Sequence, residues 1–324
     1  MIVPCLDSVE WLGEAIESAL AQDYSSVEII VADNGSTDGS LELARSYSPA
    51  VRVIDAPTRG LGASRNAGLA VARGEYLQFL DADDALLPGK LRRQVEVLRA
   101  SDGDVAWEPF SRYTFDHATG SYAPTIHHVP EISSDVEASL LRGNGWLQIG
   151  TVLVRAGAVS EGVTFENGLH VLEDVRFLFE LASRGARFVR SETEANGLLF
   201  REHSGVRYST TRTPLVFANA CRAMAELAEA QWRARGTLNE HRREVLTDAY
   251  LTAARILHEN DATQFESLMR HIEALNPAYI DRLPARLRWL SLLVGYRRAE
   301  RIASMYRRAR AGQRRDRTSA LSLA

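Results

Sequence analysis

Short apolar runs alternate with amphipathic stretches through the first third of the chain. Runs rich in isoleucine, valine and leucine predict four strands, at residues 1–3, 27–32, 51–55 and 76–80. Apolar positions recurring every three to four residues predict helices over 9–21, 40–47, 63–73 and, starting near Pro88, to about residue 100. Strands that alternate with helices are typical of a parallel sheet flanked by helices.

The pattern is less regular from residue 104 to 201. It predicts one helix, from about Glu173 to Arg184, which Gly185 ends. It also predicts strands at 105–107, 151–154, 187–190 and 197–200. Beyond Pro214 strand signals stop, and alanine, leucine, glutamate and arginine recur at helical spacing. We therefore expect an α/β domain over residues 1–210 and a helical domain over 211–324.

The predicted first strand is short, because only Ile2 and Val3 follow Met1 before Pro4. A central parallel strand usually has about five residues. We expect that a few residues are missing at the start, which a misplaced start codon or a real truncation would explain equally well.

Composition excludes several classes of protein. The 324 residues carry a net charge of -4, with 45% apolar and 25% charged residues, so no bulk attraction to nucleic acid is expected. Cys5 and Cys221 lie far apart without metal-binding spacing, which favours a reducing compartment. The sequence has no signal-peptide pattern and no apolar run of about 20 residues, so a cytoplasmic protein is expected.

The strongest chemical signal is an acidic cluster, Asp81-Ala82-Asp83-Asp84, directly after an apolar strand. Carboxylates crowded this closely repel one another unless a cation neutralises them. Hard oxygen ligands at a strand end suit Mg²⁺ or Mn²⁺. The alternative is a solvated acidic turn ahead of the next helix.

Five other residues are candidates for the site, and each also has an ordinary structural explanation. Asp33 follows the second strand, where an open α/β sheet binds ligands, or it belongs to a capped turn. Arg65 lies in the first turn of a helix and reaches a nucleotide or forms a surface salt bridge. Glu173 and Asp174 open a helix and either act in catalysis or complement its dipole. His203 follows the last strand of the region and is otherwise an ordinary surface histidine.

The order of these segments resembles the inverting family 2 glycosyltransferases of the GT-A fold. The matching segments are IVPCLDSVEWLGEAIESALAQDY, EIIVADNGSTDGS, GLGASRNAGLAVARGEYLQFLDADD and LEDVRFLFELASRG. The resemblance covers about the first two-thirds of the chain. It implies a doubly wound, mostly parallel sheet, with a nucleotide-binding half at 1–100, an acceptor half at 101–210 and an all-α extension.

The resemblance also implies roles for individual residues. Asp174 would be the general base with Glu173 as its neighbour, and Asp83 would bind Mn²⁺ or Mg²⁺ with His203 close to the diphosphate. The residues that would bind the donor nucleotide are Pro4, Asp7, Glu10, Asp33, Arg65, Asp81 and Ala82. Many relatives have asparagine where this chain has Asp7.

The implied reaction moves a sugar from a nucleotide-sugar, a UDP-sugar by default, to a hydroxyl of a glycan or lipid-linked acceptor. It is a single displacement that inverts the anomeric configuration. Gln231-Trp232-Arg233 does not have the spacing of the QxxRW motif of processive synthases, so non-processive transfer in cell-surface polysaccharide biosynthesis is expected. Three alternatives stay open: a nucleotidyltransferase, a phosphotransferase that uses Asp81 as nucleophile, and a non-catalytic nucleotide-sugar-binding protein.

Arginine is concentrated at the end of the chain, from Tyr296 to Arg317. Together with Trp289, Leu290, Leu292 and Leu293 just before it, this stretch predicts peripheral contact with the inner face of a membrane. The alternative is a solvated basic helix or a frayed terminus.

Overall fold

The computed structural model describes residues 1–116, 119–159, 162–169, 171–191, 196–203 and 213–306. The chain divides into two compact units, Met1–Thr211 and Arg212–Ala324. The first unit combines strands and helices, and the described part of the second is helical. The arginine-rich stretch beyond residue 306 lies outside the described residues.

The first unit begins with alternating strands and helices, as the sequence predicts. These elements are β1 (Ile2–Cys5), α1 (Val9–Leu20), β2 (Ile29–Asp33), α2 (Ser40–Ser46), β3 (Val51–Asp55), α3 (Leu61–Val71) and β4 (Tyr76–Gln78). Strands β1, β2 and β3 are parallel neighbours in that order. Their carboxyl ends are level, because Asp33 pairs with Cys5 on one side and with Asp55 on the other.

Predicted element ends shift by a few residues at most. The first strand was predicted to stop at Val3, but β1 continues through Pro4 to Cys5. This happens because β1 pairs along its whole length with the buried strand β2, whose partner for Pro4 is Ala32. A single parallel bridge between Ile2 and Phe79 extends the sheet from β1 to the end of β4.

The second half of the first unit is mixed rather than parallel. It comprises β5 (Ala85–Leu86), α4 (Lys90–Ala100), β6 (Val105–Trp107), β7 (Phe110–Asp116), β8 (Ser121–His128), α5 (Val136–Leu140), β9 (Val152–Arg155), α6 (Glu173–Ser183), β10 (Phe188–Arg190) and β11 (Leu198–Glu202). One sheet has the order β10-β6-β9-β4, in which β9 is antiparallel to both neighbours. Another has the order β5-β11-β7-β8. The parallel arrangement is thus concentrated in β1 to β3.

The antiparallel hairpin of β7 and β8 has no counterpart in the sequence prediction. Most of β8 is exposed, and Pro124 lies within it, so neither alternating burial nor strand propensity marks it. Pairing with β7 creates the strand, and β7 in turn pairs in parallel with β11.

The apolar core of the first unit lies between the sheet and its helices. Leu12 and Ile16 of α1 are fully buried, as are Val3 and Val31 of the strands. Helix α3 approaches β1 closely at Gly68, where a Cβ atom would lie 2.4 Å from Cγ2 of Ile2. Glycine is therefore required at that crossing, because it lets α3 pack closely against the start of β1.

The second unit contains α7 (Pro214–Ala234), α8 (Glu240–Asn260), α9 (Ala262–Leu275) and α10 (Ala285–Val294), followed by helical residues 296–306. Three of these helices begin with side-chain caps: Thr213, Asn239 and Asp261 each accept a backbone N–H from the first turn. The predicted helical extension is confirmed. None of the described helices is long and apolar enough to cross a membrane.

Candidate active site

The acidic cluster predicted from the sequence lies in the turn between β4 and β5. Carboxylate oxygens of Asp81, Asp83 and Asp84 all approach within 4.8 Å of one another. Asp81 and Asp83 are half-buried, whereas Asp84 is fully buried. The alternative of a solvated turn is therefore wrong for Asp84, and the cluster faces solvent through the other two.

Asp84 fixes the turn to the rest of the first unit. Its Oδ1 accepts the backbone N–H of Arg201 at 2.9 Å, and its Oδ2 accepts Nε2 of Gln148 at 3.2 Å. Hydrogen bonds to a buried carboxylate are among the stronger ones in a protein. Asp84 thus has a structural role that the sequence did not distinguish from the roles of its neighbours.

His203 lies beside Asp83. Its Nε2 is 3.1 Å from Oδ2 of Asp83, and its ring packs 5.1 Å from the ring of Trp11. The histidine side chain is only 7% exposed, so the alternative of a surface histidine is wrong. Carboxylate oxygens suit Mg²⁺ or Mn²⁺, and an imidazole nitrogen beside them favours Mn²⁺ of the two. The residues present therefore fit a divalent ion held by Asp83 and His203.

Arg65 connects the cluster to a distant helix. Its Nη2 donates to Oδ1 of Asp81 at 2.7 Å, and its Nη1 donates to Oε1 of Glu173 at 2.9 Å. The guanidinium is 1% exposed and lies 5.1 Å from the ring centre of Phe165. A surface salt bridge is therefore wrong for Arg65. Burial alone would lower its pKa, but the charges of Asp81, Glu173 and Asp174 raise it, so the guanidinium stays charged.

The acidic pair at the start of α6 consists of two unlike carboxylates. Glu173 is buried against Arg65, while Asp174 remains half-buried. Burial raises the pKa of Asp174, and the charge of Glu173 raises it further, whereas the charge of Arg65 lowers it. A carboxylate with a raised pKa is a better proton acceptor than an ordinary surface aspartate. Of the pair, Asp174 is the one suited to be a base.

Two residues in or next to the candidate site have a strained backbone conformation. Asp7 and Leu172 have positive φ angles, of 46° and 63°, the conformation that a non-glycine residue rarely adopts. Leu172 directly precedes α6 and its acidic pair, and Asp7 lies in the loop after β1. Such strain often accompanies functional sites.

Two of the candidate nucleotide residues lie at neighbouring strand ends: Asp7 in the loop after β1 and Asp33 as the last residue of β2. Asp33 accepts the backbone N–H of Gly35 at 3.1 Å and of Ser36 at 3.2 Å, and Asp7 accepts that of Thr37 at 2.7 Å. Asp33 is level with the end of β1, and the segment that leads to Asp81 pairs with the other edge of β1. Asp33 is therefore two strands away from the segment that leads to Asp81, and neighbouring strands lie about 4.8 Å apart.

Three further predicted residues, Pro4, Ala82 and Glu10, differ in their element and burial. Pro4 is buried within β1 and Ala82 within the acidic turn. Glu10 lies in the first turn of α1 with its side chain exposed. The structure thus joins Arg65, Asp81 and Glu173 by direct contacts, and it joins Asp83 to His203 in the same way.

Gln148 and Arg201 support the cluster and were not identified from the sequence. Gln148, 3% exposed, donates to both Asp81 and Asp84 at 3.2 Å. Arg201 is fully buried; its Nη1 donates to the backbone carbonyl of Asp83 at 2.9 Å. The only available signal was the position of Arg201 two residues before His203. Gln148, an uncharged side chain in a loop, gave none.

Aromatic rings enclose the guanidinium of Arg201. It lies 4.7 Å from the ring centre of Trp11 and 4.9 Å from that of Tyr122, and it pairs with Glu14 at 2.6 Å. Tyr122 belongs to β8 and Trp11 to α1. The hairpin that the sequence did not predict therefore reaches the back of the acidic turn.

An α/β sheet with an acidic turn and a second acidic pair brought together by a buried arginine defines a GT-A type of transferase domain. Comparison with known proteins agrees: residues 1–152 match the family model "Glycosyl transferase family 2". The matched residues include Arg65 and the acidic turn, whereas the acidic pair of α6 lies beyond them.

Curated relatives match over part of their length. An uncharacterized glycosyltransferase from Nostoc sp. is 35% identical over 151 residues, covering 45% of this chain and 46% of the relative. The succinoglycan biosynthesis protein ExoO of Rhizobium meliloti is 39% identical over 196 residues, covering 57% of this chain and 56% of the relative. The chain thus matches about half the length of these relatives.

Solved structures share the fold over nearly the whole chain. The crystal structure of S. aureus TarS 1-349 in complex with UDP-GlcNAc has a TM-score of 0.69 and 20% identity, covering 95% of this chain and 91% of TarS 1-349. At this identity the likeness concerns the fold, including the helices that follow the transferase domain.

Proposed function

We propose that the protein is an inverting, metal-dependent glycosyltransferase that moves one sugar from a nucleotide-sugar to an acceptor hydroxyl. The observation that carries this proposal is the bridge formed by Arg65. It brings Asp81 of the acidic turn and Glu173 of the acidic pair to opposite ends of one buried guanidinium. A site for the diphosphate and a site for the base therefore belong to one rigid group.

In this proposal Asp83 and His203 hold the divalent ion. Bound there, Mn²⁺ or Mg²⁺ offsets the negative charge that develops on the departing nucleoside diphosphate. Asp81 is unsuited to act as a phosphotransferase nucleophile, because Arg65 and Gln148 engage its two oxygens. Held in that way, Asp81 is oriented to accept a hydrogen bond from a hydroxyl of the ribose or of the transferred sugar.

Asp174 is the proposed general base. Its carboxylate takes the proton of the acceptor hydroxyl as that oxygen forms a bond to the anomeric carbon, and the bond from this carbon to the diphosphate breaks. The transition state is oxocarbenium-like, and one displacement inverts the configuration. Glu173 raises the proton affinity of Asp174 while it remains paired with Arg65.

The donor is proposed to be a UDP-sugar bound along the ends of β1, β2 and β4. Pro4, Asp7, Glu10, Asp33 and Ala82 line these ends or the loops beside them. TarS, whose fold this chain shares, has been solved with UDP-GlcNAc and with UDP, which supports this donor class. The division into a nucleotide half at 1–100 and an acceptor half at 101–210 remains part of the proposal.

The acceptor is proposed to be a glycan or a lipid-linked glycan. The relative ExoO is named for succinoglycan biosynthesis, which supports a role in cell-surface polysaccharide assembly by stepwise, non-processive transfer. A cytoplasmic location is proposed on the basis of the free cysteines Cys5 and Cys221.

The deciding experiment incubates the protein with a panel of UDP-sugars, glycan acceptors and Mn²⁺, and follows release of UDP and the anomeric configuration of the product by NMR. Asp174→Asn is expected to bind UDP and lose transfer. Release of pyrophosphate from a nucleoside triphosphate and a sugar 1-phosphate would instead identify a nucleotidyltransferase. Donor binding with no turnover by the wild-type protein, over the whole panel, would support a non-catalytic binding protein.

A further inference from the structure

Helix α10 exposes an apolar face. Trp289, Leu292 and Leu293 are 66%, 60% and 80% exposed, and their spacing of three and four residues places them on one side of the helix. The other side is the packed one, where Leu287 and Ser291 are buried. A tryptophan and two leucines together on one exposed face are unusual for a surface that contacts only water.

The following helical residues 296–306 repeat this arrangement. Ile302, Met305 and Tyr306 are 48%, 68% and 60% exposed and again have spacings of three and four residues. Tyr296, Glu300 and Ser304 are buried on the other side. Two successive helical segments thus each present large apolar side chains outward. We call these two exposed sides the C-terminal apolar face.

Exposed arginines accompany the C-terminal apolar face. Arg286, Arg298 and Arg301 are exposed, and none forms an ion pair with an acidic side chain among the residues that the structure describes. Arg297, by contrast, is paired with Glu266 and Glu273. The acidic residue in 285–306 is Glu300, and it is fully buried.

The sequence extends this positive charge. From residue 285 to 324 it contains eleven arginines and two acidic residues, Glu300 and Asp316. The whole chain nevertheless carries a net charge of -4. Positive charge is therefore localised in the same part of the chain as the exposed apolar side chains.

We propose that the C-terminal apolar face docks on the surface of a bilayer that contains anionic phospholipids. Tryptophan, leucine and methionine side chains enter the interfacial layer, and the arginines beside them pair with lipid phosphates. A second copy of the chain is a poorer partner, because two such faces brought together would oppose arginines without exposed acidic residues to neutralise them. This proposal goes beyond the transfer reaction and does not depend on it.

Vesicle flotation of the full-length chain tests the proposal. We expect the protein to float with vesicles of phosphatidylcholine and phosphatidylglycerol, to remain unbound with phosphatidylcholine alone, and to dissociate as salt is raised. Tryptophan fluorescence should shift to shorter wavelength on binding, and Trp289→Phe should remove most of that shift.

Substitutions on the C-terminal apolar face test whether this surface binds the vesicles. Leu292→Ser with Leu293→Ser is expected to weaken vesicle binding by about tenfold or more. The matched control is Leu20→Ser, because Leu20 is also an exposed leucine, at 45%, but lies on α1 of the first unit. Transfer to a water-soluble acceptor should be unchanged in both variants, which separates a failure of docking from a failure of the proposed function.

Three results would overturn the proposal. The first is equal binding to neutral and anionic vesicles, or binding to neither. The second is unchanged flotation of the Leu292→Ser, Leu293→Ser variant. The third is a concentration-dependent dimer in sedimentation, abolished by those substitutions, without lipid binding; this would assign the face to a second copy of the chain.

Discussion

Arg65 donates a hydrogen bond of 2.9 Å to Glu173, although 108 residues separate them in the chain. The contact joins the second turn of α3 to the start of α6, and the same guanidinium also holds Asp81 of the acidic turn. Since Arg65 and Glu173 are both buried, removing Arg65 leaves the charge of Glu173 without this partner, whereas removing Glu173 leaves Arg65 paired with Asp81. The arginine therefore determines both the stability and the geometry of the candidate site.

Arg65→Met should be strongly destabilising. Removing one partner of a buried ion pair costs about 3–5 kcal/mol, because the remaining charge stays buried without compensation. Urea unfolding should therefore show a large loss of free energy of unfolding, and Arg65→Met combined with Glu173→Gln should recover part of it. The control is Arg52→Met: Arg52 is half exposed and 3.9 Å from Glu28, so its loss should cost less than about 1 kcal/mol. Equal small losses for both arginines would contradict the prediction.

Glu173→Gln should move the acidic limb of the pH–rate profile to lower pH. The Asp174 base works when ionised, so activity is lost as pH falls through its raised pKa. The charge of Glu173 helps to raise that pKa, and glutamine removes the charge while keeping an acceptor for Arg65. The pH dependence of kcat measures the shift. Glu166→Gln is the control, because Glu166 is half exposed and pairs with Arg176 instead. A limb that stays in place or moves upward would refute the assignment of the base.

Asp83→Ala and Asp84→Asn should have different consequences. Asp83 adjoins His203 and is the proposed metal ligand, so its loss should abolish the thermal stabilisation by UDP that depends on Mn²⁺. Asp84 is buried and bound to Arg201 and Gln148, so Asp84→Asn should cost about 1–3 kcal/mol of stability. The folded Asp84→Asn protein should keep its response to Mn²⁺. A response retained by Asp83→Ala would argue against the proposed site.

Gln148→Ala should lower kcat more than it changes KM. Gln148 is buried and donates to Asp81 and Asp84, so its loss should misplace Asp81, which contacts the donor in the proposed mechanism; we expect kcat to fall by about tenfold or more. The control is Gln22→Ala. Gln22 is also buried and bonds to the backbone, including the carbonyl of Leu87, but contacts no carboxylate of the site. Similar kinetic losses in both variants would reduce the role of Gln148 to general stability.

Local patterns predicted most elements of the first unit. The strand and helix alternation from β1 to α4 follows from apolar periodicity, because each element buries one face or its whole length against its neighbours. The acidic turn and the acidic pair could be recognised because each places charged residues at the edge of an apolar run. The acidic turn follows a strand, and the acidic pair begins a helix. The hairpin of β7 and β8 escaped prediction because the exposed strand β8 has no buried alternation.

By itself the sequence predicted which side chains are candidates for the chemistry, Asp81, Asp83, Glu173, Asp174 and His203, and most of the elements whose ends hold them. Only the tertiary structure decided the roles of the residues around them. Asp84 is buried and fixes the acidic turn, and Arg65 joins that turn to Glu173. Gln148 and Arg201 donate hydrogen bonds to the acidic turn. The physical reason is that periodicity reports whether a face is buried, whereas the partner of a buried polar group depends on which distant elements pack together. A sequence read locally contains the first kind of information and not the second.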